Sequence, residues 1–173
     1  MCTMSLEAFK TRVLPVKDKL YRFAFRLLND EDEAKDVVQE TMIKVWHKKD
    51  EMDTLLNMEA WCMRVVRNLA FDKLKSKHNK TDGFAEGFEI SENGMSPYAK
   101  TEIDNTMNVI HQFIAALPDK QRQIIQLRDI EGFSYKEIAD ILGLDANNVK
   151  VNLFRARKAV RENLLNIHAY GLK

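Results

Sequence analysis

Asn147, Lys150, Val151, Phe154, Arg155, Lys158 and Arg161 recur at one- to three-residue intervals in the segment ANNVKVNLFRARKAVR. At about 100° per residue they fall on one side of a helix. Lys and Arg suit phosphate oxygens and guanine edges, Asn suits adenine, and Val or Phe can press on a thymine methyl. No acid occurs from Ala146 to Arg161, whereas an ordinary solvated helix face mixes Glu with Lys. A second such set lies upstream. In EAWCMRVVRNLAFDKLKSKH, Arg64, Arg67, Asn68, Phe71, Lys75 and His78 share one side of a helix. Bases, an amide and an aromatic together suit single-stranded nucleic acid: the charge follows phosphates and the planar groups receive unstacked bases. The structural alternative is a solvated face with Phe71 tucked under a neighbour. The preceding loop, residues 50–57, can wall a pocket for an extruded base.

Each set needs an element to hold it outward. Ser134 and Glu137 form a capping box for a short helix whose core side is Ile138, Ile141 and Leu142. Gly143 takes the positive φ that ends it, and Asp145 caps the next helix. A short helix, a Gly-containing turn and a second helix make a helix-turn-helix plan. An ordinary helical hairpin in a bundle gives the same signals. The second helix buries Val149, Leu153, Ala156, Val160 and Leu164, and so presents the basic set to solvent.

The 173 residues carry a net charge of only +1, so any polyanion binding must come from local faces. Cys2 and Cys62 are too few and too far apart for a disulfide scaffold or a zinc motif. His47, His78, His111 and His168 show no metal-ligand spacing. No phosphate-binding, zinc-protease or serine-hydrolase motif occurs, so neither an enzyme nor a bound cofactor or metal is expected. With no membrane-spanning apolar run and no signal-peptide pattern, the chain reads as soluble and cytoplasmic. No further domain is expected after Lys173.

Helical periodicity dominates and no alternating strand of useful length occurs. The expected fold is all-α: two small helical domains joined by a flexible linker. Residues 1–78 give a three-helix bundle. Its first helix covers Ser5 to Leu28, with a break near Pro15 and Leu20, Phe23, Leu27 and Leu28 inside. Asp30 and Glu33 form a second capping box for a helix to about His47, whose stripe is Val37, Val38, Thr41, Met42, Val45 and Trp46. The third runs from about Met58 to Lys75, with Met58, Cys62, Val65, Val66 and Leu69 inside. Residues 79–98, rich in Gly, Ser and Asn, form the linker. Residues 99–173 give a four-helix domain. Its first helix has the stripe Ile103, Met107, Ile110, Ile114 and Leu117. A short helix opened by Pro118 then leads to the helix-turn-helix.

Three stretches together resemble the extracytoplasmic-function sigma factors of bacterial RNA polymerase, which keep only sigma regions 2 and 4. They are DEDEAKDVVQETMIKVW, AWCMRVVRNLAFDKLK and LPDKQRQIIQLRDIEGFSYKEIADILGLDANNVKVNLFRARKAVRENL. The resemblance implies that region 2 binds the clamp coiled coil of the polymerase β′ subunit through the second helix, at Asp36, Gln39, Glu40 and Lys44. It implies capture of melted −10 bases at Arg64, Arg67, Asn68 and Phe71, with Lys75 on phosphate. Region 4 would read the −35 duplex through Asn147, Lys150, Val151, Phe154, Arg155, Lys158 and Arg161. Arg128 is placed for phosphate, and the β flap is a further polymerase partner. Such proteins commonly have an anti-sigma factor, often membrane-bound. Val151 and Asn152 stand where the family usually has Ser or Thr followed by Arg, which puts one phosphate contact in question. Asn147 and Asn148 replace a more usual Gly-Thr.

Two other functions compete. A helix-turn-helix regulator would bind duplex operator without polymerase, but its usual receiver domain would show alternating strands and helices. A helical interaction module would bind a protein partner and no DNA.

Overall fold

The computed structural model describes residues 6–48, 51, 57–80 and 102–169, and these contain helices and turns with no strand. The first bundle consists of α1 (Leu6–Arg12), a 3-10 turn (Leu14–Val16), α2 (Lys17–Leu28), α3 (Glu31–His47) and α4 (Met58–Lys80). The second consists of α5 (Glu102–Ala115), α6 (Asp119–Ile125), a π turn (Gln126–Ile130), α7 (Tyr135–Leu142) and α8 (Ala146–Ala169).

Pro15 has no N–H to donate and falls in the 3-10 turn that separates α1 from α2. Asn29 ends α2 in the left-handed region at φ 51°, its amide donating to Phe25 O at 2.8 Å. Asp30 caps α3 by accepting from Glu33 N at 3.0 Å. The reciprocal half of the expected capping box is absent. Glu33 Oε1 instead meets Lys77 Nζ of α4 at 2.9 Å, a long-range attraction that outweighs the local one. Asn57 caps α4 through Oδ1, which accepts from Ala60 N at 2.9 Å.

Leu20, Phe23, Leu27 and Leu28 of α2 are buried against Val37, Val38, Thr41 and Val45 of α3 and Met58, Cys62, Val66 and Leu69 of α4. The Thr41 hydroxyl donates to Val37 O at 2.8 Å, which satisfies it inside the core. In the second bundle, Ile114, Leu117, Ile124, Leu127, Ile138, Ile141, Val149, Leu153, Ala156 and Val160 are buried. Several expected core positions sit farther out. Met107 is exposed near the start of α5, Val65 and Leu164 are half-buried, and Trp46 is exposed with its ring edge-on to Phe9 at 5.4 Å. α4 also runs on to Lys80, past the expected stop near Lys75. The rest of the expected linker lies outside the described residues, as do Ile103's side chain, His78's side chain and most of the loop after Asp50.

The bundles pack on each other, with α4 against α7, and share one continuous core. Arg22 of α2 grips Glu131 through Nε at 3.1 Å and Nη2 at 2.7 Å. Arg26 Nη2 lies 3.0 Å from His111 Nδ1, Arg67 Nε donates to Gln123 Oε1 at 3.4 Å, and Asn57 Nδ2 donates to Glu137.

Candidate nucleic-acid interface

The helix-turn-helix forms as its sequence dictates. Ser134 Oγ accepts from Glu137 N at 3.3 Å, and Glu137 Oε2 accepts from Ser134 N at 2.7 Å. Those bonds, led by the Ser134 amide, hold the Glu137 carboxyl below the usual carboxylate range. Gly143 turns the chain at φ 65°, where a side chain other than glycine or asparagine is strained. Asp145 then caps α8, its Oδ1 accepting from Asn148 N at 2.8 Å and its Oδ2 from Asn148 Nδ2 at 2.6 Å.

These contacts fix which α8 side chains remain available. Val149, Leu153, Ala156 and Val160 anchor the helix in the core. Asn147, Lys150, Val151, Phe154, Arg155, Lys158 and Arg161 all face solvent, and Phe154 is 70% exposed. Leaving a phenyl ring this open wastes apolar burial that the core could have used. Asn148 is consumed by the cap. Asn152 Nδ2 bonds back to Asn148 O at 2.9 Å, so it serves the helix itself. Arg157 is committed to Asp129 at 2.5 and 3.0 Å. Arg155 and Arg161 draw no ion pair among the described residues.

Arg128 has a structural duty that its sequence position does not reveal. Its Nη1 donates to Phe133 O at 2.8 Å, and its guanidinium lies 4.9 Å from the Tyr135 ring. Lys150 approaches the same ring at 6.0 Å. Tyr135, missed in the sequence, is therefore the platform that steadies two bases beside α8. Its aromatic type at the first position of α7 was the available signal.

The expected single-strand face on α4 is brought together and also divided. Arg64, Asn68 and Lys75 are exposed. Arg67 and Phe71 are half-buried along the edge facing the second bundle, with the Arg67 guanidinium 5.0 Å from the Phe71 ring. Burial pulls the Arg67 pKa down. That edge opens into a cleft of about 200 Å³ shared with Asp119, Lys120, Gln123, Leu142 and Leu144. The Asn68 edge lines a separate groove of about 420 Å³ with Lys44, His47 and Lys48 from α3 and Trp61, Val65, Leu69 and Asp72 from α4. The sequence placed Lys44 with the protein-binding face only. Trp61 and Val65, one turn apart and one or two turns before Asn68, were the missed apolar walls of this groove.

On α3, Asp36, Gln39, Glu40 and Lys44 are exposed along one side. Lys44 pairs with Glu40 at 3.1 Å, and Asp36 reaches Lys73 of α4 at 3.6 Å. These exposed pairs contribute little to the fold.

Two family models match the chain, one in each half. The sigma-70 region 2 model matches residues 13–80, and the sigma-70 region 4 model matches residues 107–160. The ECF RNA polymerase sigma factor SigW of Bacillus subtilis is 30% identical over 172 residues, covering 93% of this chain and 91% of that protein. The RNA polymerase sigma-H factor of Pseudomonas aeruginosa is 30% identical over 166 residues, covering 91% of this chain and 86% of that protein. Among solved structures, the sigma factor RpoE of Bartonella quintana, in complex with the anti-sigma factor NepR, superposes with a TM-score of 0.72 at 29% identity. That match covers 94% of this chain and 99% of the other.

Proposed function

The chain belongs to the extracytoplasmic-function RNA polymerase sigma factors of the sigma-70 family, and from this premise we propose how its faces divide the work of promoter recognition. The outer face of α8 reads the −35 duplex. Its first turns enter the major groove, with Arg155 on base edges and Lys158 and Arg161 on phosphate. Arg64, Arg67, Asn68 and Phe71 of α4 take the unpaired −10 strand, with Lys75 on its backbone. Asp36, Gln39, Glu40 and Lys44 of α3 meet core polymerase. Residues 1–78 and 99–173 act as the two working domains about the linker of residues 79–98.

The observation that carries this reading is the contrast across α8, where the buried residues Val149, Leu153, Ala156 and Val160 back an outer face with no acid through Arg161 and an open phenyl ring. The protein acts without catalysis of its own, as a cytoplasmic subunit of the polymerase. No helix among the described residues is long and apolar enough to cross a membrane. An anti-sigma factor, as found on the Bartonella relative, is the expected protein antagonist.

The test is reconstitution. Core polymerase with the purified chain is given a library of duplex templates, and start sites are sequenced. Starts that share elements spaced near −35 and −10, and that require the chain, support the reading. Duplex binding by the chain alone with no polymerase association would support the operator-binding alternative.

A further inference from the structure

Two bases from separate elements meet one aromatic ring beside α8. Tyr135 is half-buried at the start of α7, where the reciprocal Ser134–Glu137 bonds fix its backbone. The Arg128 guanidinium, from the π turn, lies 4.9 Å from the centre of its ring. Lys150 Nζ, from the second turn of α8, lies 6.0 Å from the same centre. At these distances a cation is drawn to the negative face of an aromatic ring. The ring therefore holds in place two side chains that are otherwise long and mobile.

Each base keeps charge to offer. Arg128 gives one N–H to Phe133 O at 2.8 Å, and a guanidinium has further donors beyond that one. Lys150 is exposed, and neither base has a carboxylate partner among the described residues. Arg157 on α8 differs, because Asp129 neutralises it through contacts at 2.5 and 3.0 Å. Two like charges held at one ring repel each other, and an anion that meets both relieves the repulsion. Lys150 shares the outer side of α8 with Phe154 and Arg155. The pair thus stands at the rim of that side, where a duplex seated on α8 presents its sugar–phosphate edge.

We propose that Tyr135, Arg128 and Lys150 form a preassembled clamp for the phosphodiester backbone of the −35 duplex, with Tyr135 as the positioning residue that acts through its ring. This rests on the reading of α8 given above and assigns a role to a side chain which that reading leaves out. A lysine or arginine that meets a phosphate loses side-chain freedom, and the loss reduces affinity. A ring that orders both bases in advance removes part of that cost. The contact goes to the backbone, so it carries no sequence information and strengthens binding to every −35 sequence alike.

The experiment titrates holoenzyme, reconstituted with the full chain, against a promoter duplex selected in the reconstitution, over a salt series. Tyr135 is replaced by phenylalanine and, in a second chain, by pentafluorophenylalanine. The two rings pack alike, but the face of the fluorinated ring is no longer negative, so a difference between them reads the ring's charge and not its shape. Tyr135→Phe should bind like the parent. The fluorinated chain should bind about tenfold more weakly, both on the selected −35 element and on one with a single base pair changed. Its salt slope should match the parent's, because both cations remain. Lys150→Ala should reduce the slope by about 0.9 and shrink the effect of the fluorinated ring, since one of the two cations is gone. A fluorinated chain that binds like Tyr135→Phe overturns the clamp. So does a Tyr135→Phe chain as weak as the fluorinated one, which would make the hydroxyl the contact. If Lys150→Ala changes neither affinity nor slope, the placement of DNA on this side of α8 fails as well.

Discussion

Arg155→Ala and Arg161→Ala separate base reading from phosphate binding on one helix. At 1.5 Å per residue, Arg155 stands roughly 14 Å and Arg161 roughly 23 Å from the first residue of α8. A recognition helix presents its N-terminal turns to base edges in the major groove, so the nearer residue is placed to reach them and the farther one to meet the flanking backbone. Neither guanidinium has an ion pair within the described chain. Their removal should therefore change stability by less than about 0.5 kcal/mol, leaving the DNA effect undisguised. Losing a bidentate guanine contact costs about 1–3 kcal/mol, or roughly 5- to 150-fold in discrimination at one position. Losing one phosphate contact should weaken all sequences alike and reduce the salt slope by about 0.9. Reconstituted holoenzyme selects promoters from a library randomised across −35, and affinities are measured over a salt series. Arg155→Ala should flatten preference at one position, while Arg161→Ala should leave the selected sequence intact. Equal shifts in preference, or none in either variant, would refute the placement of α8 in the groove. Arg157→Ala is the instructive contrast, since it breaks the pair with Asp129 and should disturb the domain itself.

Other perturbations test the remaining links. Glu40→Lys reverses an exposed charge that pairs with Lys44 on its own helix, so core polymerase affinity should fall in titration while Tm stays nearly constant. Gly143→Ala meets no atom within 4 Å but must hold φ 65°; denaturant unfolding should show a loss of about 1 kcal/mol from backbone strain alone. Burial, with help from Glu59, pushes the Cys62 thiol up to about 12. In a Cys2→Ser chain a disulfide reagent at pH 8 should label it only on unfolding, consistent with a thiolate fraction roughly a thousandfold below that of an exposed thiol. His111 is held below the ordinary histidine value by burial and by Arg26. Its contribution to the seam between the bundles is complete above the usual value of about 6.5 and is lost as pH falls toward the depressed one. Scattering should show the chain loosening on mild acidification, and His111→Gln should remove that part of the response.

What the sequence made legible was local chemistry. The Ser134–Glu137 box, the glycine at 143 and the cap at Asp145 each depend on residues within four positions, and each is present in the structure. The same local logic failed at Glu33, because a lysine on another helix competes for its carboxylate. It also missed Met63 and Ala70 as buried residues, since α4 is covered by α2 and α3 on one side and by α7 on another and so buries more than a single stripe. The seam between the bundles lies farther still from local pattern. Arg22 and Glu131 are 109 residues apart, and each alone reads as an ordinary solvated charge, one on a helix and one before a glycine turn. The two readings of Phe71 have the same cause. Its ring sits under a neighbour and also lies on the proposed nucleic-acid face, because the neighbour is the other bundle. Whether that edge of α4 is core or binding surface is decided by a contact between domains, and no periodicity within α4 can record it.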